Sequence, residues 1–464
     1  MRLPAALLAL LGALCAQTID RTKPPATPDA PDYKLPATYE TKLPNGMSVT
    51  LVEDRRFPLV TARLGFLAGS NFDPKDQAGL SETTAFLLTQ GTRTRSAKQL
   101  ADEIASVGGQ IAGSSTADGI VLSATGLAEH TARLMELVAD VARNASFPED
   151  ELRLRIQNRK QELALERSEA SFLAAEKLDA LVYGDTPYAR RAPTPQSLDH
   201  IDRKALSAFH SAWLGPNNAW LVLLGNLPPR AETLRLLNDR FGGWERQPLA
   251  SASAARFPSS RKEYALVDRP GSVQADIFVG RLAVTRGHPD FFPLLVANTI
   301  LGGGASSRMF LDIREKRGFA YDAHSQLDLR RDAATVAAVT QVRNDVIEPA
   351  MQAVLDNLTG MVKETVAGEE LARVKNFLSG LYLLRLETQA GLAQQLITLK
   401  LMGLPNSFLE QYTQRVRAVT AEQVRVAANR YLNPENAAVV VVGDASKIGK
   451  PLEKFGKFNV TKAQ

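Results

Sequence analysis

One stretch of this chain occurs twice. Residues 213–226 read W-L-G-P-N-N-A-W-L-V-L-L-G-N, and residues 431–444 read Y-L-N-P-E-N-A-A-V-V-V-V-G-D. The copies agree in register at Leu, Pro, Asn, Ala, Val and Gly, at a spacing of 218 residues. Each is preceded by a helical pattern, the second with a Thr420–Gln423 capping box. Each then runs through a Pro-Asn turn into an apolar strand that a glycine ends. Two unrelated helix–turn–strand units would not match at those positions. A repeat of this length implies two homologous domains. The expected class is α+β: two domains, each a mixed or antiparallel sheet packed with helices, related by a pseudo-twofold repeat.

The rest of the chain fits that plan. Residues 47–53 and 59–68 alternate as strands. Asp73-Pro74 opens a helix at Gly79. Ser96–Gln99 forms a capping box for another, which Gly108-Gly109 stops. Residues 110–114 and 119–126 bracket a hairpin. Pro148 starts a long charged helix to about Arg167, where Arg153, Arg155, Arg159 and Lys160 alternate with Glu151, Glu162 and Glu166 as on a solvated face. A further helix ends at Tyr183-Gly184, and residues 219–225 form a buried strand. The Ser/Ala/Pro-rich segment 247–260 reads as the joint between domains 39–246 and 261–464.

The N-terminus, M-R-L-P-A-A-L-L-A-L-L-G-A-L-C-A-Q, has one positive charge before a short apolar run ending in small residues. This is a signal-peptide pattern over residues 1–16, too short to span a bilayer comfortably. The Pro-rich residues 17–38 read as an extended tether. Cys15 is the only cysteine, so disulfides and thiolate metal sites are excluded. Export without disulfides suits a bacterial periplasm; lipid attachment at Cys15 is the weaker option, because Leu14 stands where a small residue is expected. No other apolar stretch reaches membrane-span length. Net charge is +5, but the basic residues are dispersed without interleaved aromatics, which argues against nucleic acid as a partner.

Two segments carry the chemistry. Residues 79–92 read G-L-S-E-T-T-A-F-L-L-T-Q-G-T. Residues 302–321 read G-G-G-A-S-S-R-M-F-L-D-I-R-E-K-R-G-F-A-Y. Together they resemble the pitrilysin/insulinase-type peptidases, the inverted zinc enzymes with H-x-x-E-H. The likeness extends over about residues 39–460, with support from L-P-N-G-M at 43–47 and L-V-Y-G-D-T-P-Y at 181–188. Laid on the family's first helix, the two histidines fall on Glu82 and Phe86, and the catalytic glutamate falls on Ala85. The family's third ligand falls on Glu162, which without an imidazole partner reads as an ordinary helix residue. The five histidines, at 130, 200, 210, 288 and 324, are nowhere three or four apart. Zinc at this place is therefore not expected, since the surviving donors cannot complete a tetrahedral set. Leu80, Phe86, Leu87 and Leu88 instead suggest a packing surface.

The second segment keeps the family's features. Gly302, Gly303 and Gly304 can end a helix and allow close backbone approach, and Ser306-Ser307 can cap the next helix. Arg314 and Tyr321 have the spacing of an arginine–tyrosine pair that recurs in the family's second domain. The resemblance implies that they hold the scissile peptide, as donors to a carbonyl oxygen gaining charge. The alternative is local: Arg314 pairs with Glu315 or Asp312, and Tyr321 is a half-buried strand aromatic. In the small two-domain branch, one partner brings H-x-x-E-H and the other brings this pair. The expectation is thus an exported subunit with no cofactor of its own and no catalytic residue of its own. It would supply Arg314 and Tyr321 in trans to a zinc-bearing H-x-x-E-H partner that degrades or processes unfolded peptides. The other expectation is a non-catalytic peptide-binding or assembly protein of the same fold.

Overall fold

The computed structural model describes residues 31–249 and 256–463. The signal-peptide reading, most of the tether and the middle of the joint lie outside these residues. The first sheet contains β1 (Thr38–Lys42), β2 (Ser48–Glu53), β3 (Leu59–Phe66), β4 (Gln110–Ser115), β5 (Ile120–Leu127) and β6 (Ala219–Gly225). The second contains β7 (Glu263–Asp268), β8 (Gln274–Ala283), β9 (Ala320–Leu329), β10 (Ala334–Arg343), β11 (Ala438–Gly443) and β12 (Asn459–Lys462).

The strand orders are β1-β2-β6-β3-β5-β4 and β12-β7-β11-β8-β10-β9. The repeat is visible in the pairing. β6 lies parallel to β2 with Trp220 opposite Ser48, and β11 lies parallel to β7 with Ala438 opposite Glu263. The next strand in is antiparallel in both sheets, with Gly65 opposite Trp220 and Gly280 opposite Ala438. Both sheets are therefore mixed, as expected. They differ at one edge. β1 is antiparallel and comes before its sheet in sequence, whereas β12 is parallel and closes the chain.

The halves are interlocked. The helix Ala170–Tyr183, from the first half, packs on β8 and β11 of the second sheet. The helix Gln389–Leu401, from the second half, packs on β3 and β6 of the first. Glycines at equivalent positions make room for both. A Cβ on Gly65 would come within 2.8 Å of Ile397, and one on Gly280 within 2.8 Å of Leu178. Each sheet thus buries one apolar face under a helix from the other half, so neither half covers its own sheet alone. Arg330 ties the two together. It donates to Asp179 Oδ2 at 3.0 Å and to the Tyr188 carbonyl at 2.6 Å, and it stacks on Tyr183 at 4.4 Å. Residues Asp32–Leu35 lie on the second half, where Leu35 N–H donates to Glu410 and Asp32 pairs with Arg417. No helix among the described residues is long and apolar enough to cross a membrane.

Candidate functional site

The helix Leu80–Leu87 begins where Gly79 takes a left-handed turn at φ 98°. Asp73 caps it from upstream, accepting from the Gly79 and Ser81 N–H groups at 2.9 and 2.8 Å. Burial pushes the Asp73 carboxyl up to about 6, although both backbone donors and Arg190 favour the ionised form. On the inner side, Leu80, Ala85, Leu87 and Leu88 are buried. Strand β4 passes so close that a Cβ on Gly113 would meet the Ala85 carbonyl oxygen at 1.9 Å. The expected packing surface needs one correction. Phe86 is not part of it, because it faces outward, 42% exposed, beneath the Arg155 guanidinium at 4.8 Å.

Arg155 also engages the carboxylates at the positions aligned with the family's zinc ligands. The helix Glu149–Ser168 runs alongside, and its buried residues are Leu152, Arg155, Arg159 and Leu163. The expectation of a solvated charged face was wrong for these two arginines. They occupy the helical stripe between two core leucines, at spacings of three, four and four. Arg155 donates to Glu82 at 2.6 Å and to Glu162 at 3.1 Å. Arg159 lies 2.9 Å from Glu82 and donates to Glu166 at 3.0 Å. Burial alone would lower the Arg159 pKa; Glu82 and Glu166 outweigh it and raise it. Glu162 is an exposed helix residue, as expected, and also accepts from Arg155.

These residues do not fit a zinc ion. The aligned positions offer two carboxylates, a methyl group and a phenyl ring, and both carboxylates already accept from guanidinium groups. A cation entering here would meet two fixed positive charges. Among the described residues, no group of three or more His, Cys, Asp or Glu is arranged to hold a metal.

The second segment lies elsewhere. The helix Phe291–Gly302 ends at the glycines, and a Cβ on Gly302 would strike the Ser325 nitrogen of β9 at 2.0 Å. Gly303 packs on Thr299, and Gly304 is open. The expected serine cap does not form in the case of Ser307, whose hydroxyl is buried without a partner. Residues Phe310–Lys316 form a π-helix. Its wide turn brings Arg314 over Phe310 at 4.6 Å and over Tyr321 at 4.7 Å, and Glu315 lies 3.4 Å away. Tyr321 is not a half-buried strand aromatic; it is 85% exposed. The structure thus joins Arg314 to Tyr321, and Glu82 to Glu162, as two separate groups.

Between the halves lies a cleft of about 830 Å³, lined by Glu82, Arg159 and residues 115–118 from the first, and by Arg286, Gln395 and residues 328–330 from the second. Neither Arg314 nor Tyr321 lines it. The cleft meets the ends of β4 and β9, which are free edge strands. Such edges offer unpaired backbone groups to an added strand.

The chain matches two models of one peptidase family. Residues 48–196 match the insulinase model of peptidase family M16, and residues 200–378 match the M16 inactive domain. An uncharacterized zinc protease of Mycobacterium tuberculosis is 26% identical over 422 residues, covering 89% of this chain and 95% of that protein. One of Bacillus subtilis is 21% identical, covering 86% and 96%. Among solved structures, a peptidase M16 inactive domain from Pseudomonas fluorescens has a TM-score of 0.81 at 25% identity, covering 88% of this chain and 98% of that one. A protease from Helicobacter pylori has a TM-score of 0.82 at 18% identity, covering 88% and 100%. With its mixed sheets, its repeat and its altered first helix, this chain belongs to peptidase family M16.

Proposed function

We propose that this chain is the zinc-lacking subunit of a heterodimeric M16 peptidase. One observation carries the reading: Arg155 and Arg159 fill the metal position while Arg314 and Tyr321 stand together at the surface. The first change removes hydrolysis by this chain alone. The second leaves an exposed phenol beside a guanidinium whose local partners are Phe310 and Glu315. A partner with H-x-x-E-H supplies zinc and the general base; Arg314 and Tyr321 donate to the peptide carbonyl as charge develops on it. The substrates are unfolded peptides, and the signal-peptide pattern at the N-terminus supports a periplasmic location. The test is co-purification from the native host, zinc analysis and a peptide-cleavage assay. The complex is expected to cleave and the isolated chain not to. Arg314→Ala or Tyr321→Phe should each lower the complex's rate by about 10²–10³ without changing its assembly. Full zinc-dependent activity of the isolated chain, or unchanged activity of the doubly substituted complex, would sink the proposal.

A second reading, peptide binding without cleavage, is favoured by the cleft and its two free strand edges. Peptide binding by a chain that recruits no zinc-bearing partner would select it.

A further inference from the structure

The cleft contains five arginines: Arg159, Arg190, Arg191, Arg286 and Arg330. Three are paired with carboxylates. Arg159 has Glu82 and Glu166, Arg191 has Asp179, and Arg330 has Asp179 and Asp328. Arg190 also has a buried Nε–H without a partner, but it donates to the carbonyls of Asp73 and Pro74, and the Asp73 carboxyl attracts it. Arg286 is different. Among the described residues, no carboxylate is among the charges that act on it, no carbonyl accepts from it, and its Nε–H is buried with no hydrogen-bond partner. It sits in the turn after β8, closed by the His288 N–H donating to the Thr285 carbonyl.

The surroundings of Arg286 make a lone cation costly. Burial lowers its pKa, the phenols of Tyr412 and Tyr382 raise it slightly, and the Arg385 cation lowers it further. Tyr382 and Tyr412 stack at 3.7 Å, and the Tyr382 hydroxyl is buried without a partner. A water molecule can accept from Nε–H, but it cannot balance the charge. A partly desolvated cation with no counter-ion costs free energy that an arriving anion recovers.

We propose that Arg286 is the anchor for a carboxylate of a peptide lying in the cleft. The planar guanidinium matches a carboxylate in fork geometry. The other cleft arginines are engaged: an anion at Arg159, Arg191 or Arg330 meets Glu82, Glu166, Asp179 or Asp328, and Arg190 is held on the Asp73 and Pro74 carbonyls beside the Asp73 carboxyl. The backbones at 115–118 and 328–330 are at hand for the rest of the peptide. The inference rests on the peptide-binding reading above and specifies its substrate class: peptides with a free C-terminus or an acidic side chain.

The experiment uses fluorescence anisotropy with three labelled peptides of one neutral sequence. One has a free C-terminal carboxylate, one is amidated, and one is amidated with an internal glutamate. The wild-type chain is expected to bind one or both carboxylate forms about 10–100-fold more tightly than the neutral amide. The preferred form identifies the source. Arg286→Gln should bind all three like the neutral amide, and Arg286→Lys should keep part of the preference. Equal binding of the three by wild type, or an undiminished preference in Arg286→Gln, overturns the anchor. Melting with N-acetylalanine or its amide separates the anchor from the peptide reading. A chain that ignores every peptide but gains stability only from the acid, and only with Arg286 intact, keeps the anchor and loses the peptide reading. A chain that responds to neither loses both.

Discussion

Arg155 reaches from the helix Glu149–Ser168 to donate to Glu82 at 2.6 Å, and the same guanidinium covers Phe86 at 4.8 Å. Two of the three altered positions of the zinc helix are thus engaged by one side chain. Removing it should cost stability. The arginine is buried while Glu82 keeps 37% of its side-chain exposure, so the cost lies between that of a surface pair and a fully buried one. Arg155→Ala is expected to lose about 2 kcal/mol by urea unfolding. A loss below about 0.5 kcal/mol would mean that Glu82 is held by solvent instead.

Restoring the missing donors should not restore the metal. The triple change Glu82→His, Ala85→Glu and Phe86→His rebuilds H-x-x-E-H on the first helix. It also leaves Arg155 and Arg159 beside the new imidazoles, and positive charge disfavours a dication. Calorimetric titration with zinc is expected to show no tight binding by the triple variant. Adding Arg155→Leu and Arg159→Leu should improve it at least about tenfold. Tight binding by the triple variant alone would show that the arginines are not the obstacle.

Asp73 gives a pH signature. Its folded pKa is about 6, above an ordinary value near 3.8, so the folded state takes up a proton more readily than the unfolded chain. The sign follows: its contribution to stability rises as pH falls below about 6 and is lost as pH rises through it. Asp73→Asn abolishes the effect and keeps one of the two oxygens that accept from Gly79 and Ser81. Between about pH 7 and about pH 5, the stability of wild type minus variant should shift toward wild type by about 1 kcal/mol. A difference that does not change with pH would contradict this.

Arg330 is the strongest test of the interlocked halves. It and Asp179 keep only 10% and 4% of their side-chain exposure, so removing Arg330 leaves a buried carboxylate with Arg191 as its remaining cation. Arg330→Ala should lose about 3–5 kcal/mol and bring forward the unfolding of both halves together. Two separated transitions in the wild-type chain would contradict the interlocking.

The fold was legible because it rests on local signals. The Ser96–Gln99 and Thr420–Gln423 capping boxes both form, and the matching Pro-Asn-strand-Gly units became β6 and β11 in the same register of two sheets. That the first helix carries no imidazole was legible as well, because it is a matter of residue identity. The role of Arg155 and Arg159 was missed. The signal was present in the stripe Leu152, Arg155, Arg159 and Leu163, but the alternation of charges around it resembled a solvated face. Arg286 gave no sequence signal, because having no counter-ion is a property of its surroundings.

The sequence by itself determined the repeated plan, the class of fold and the loss of a zinc-binding triad. These follow from periodicity, from turn and cap chemistry, and from which side chains can bind a metal. Only the tertiary structure decided that each half covers the other's sheet, that two arginines fill the metal position, and that Arg314 stacks on Tyr321 at the surface. Each of these depends on residues far apart in sequence meeting under close packing, where the space left at Gly65 and Gly280 and the balance of buried charge select the partners.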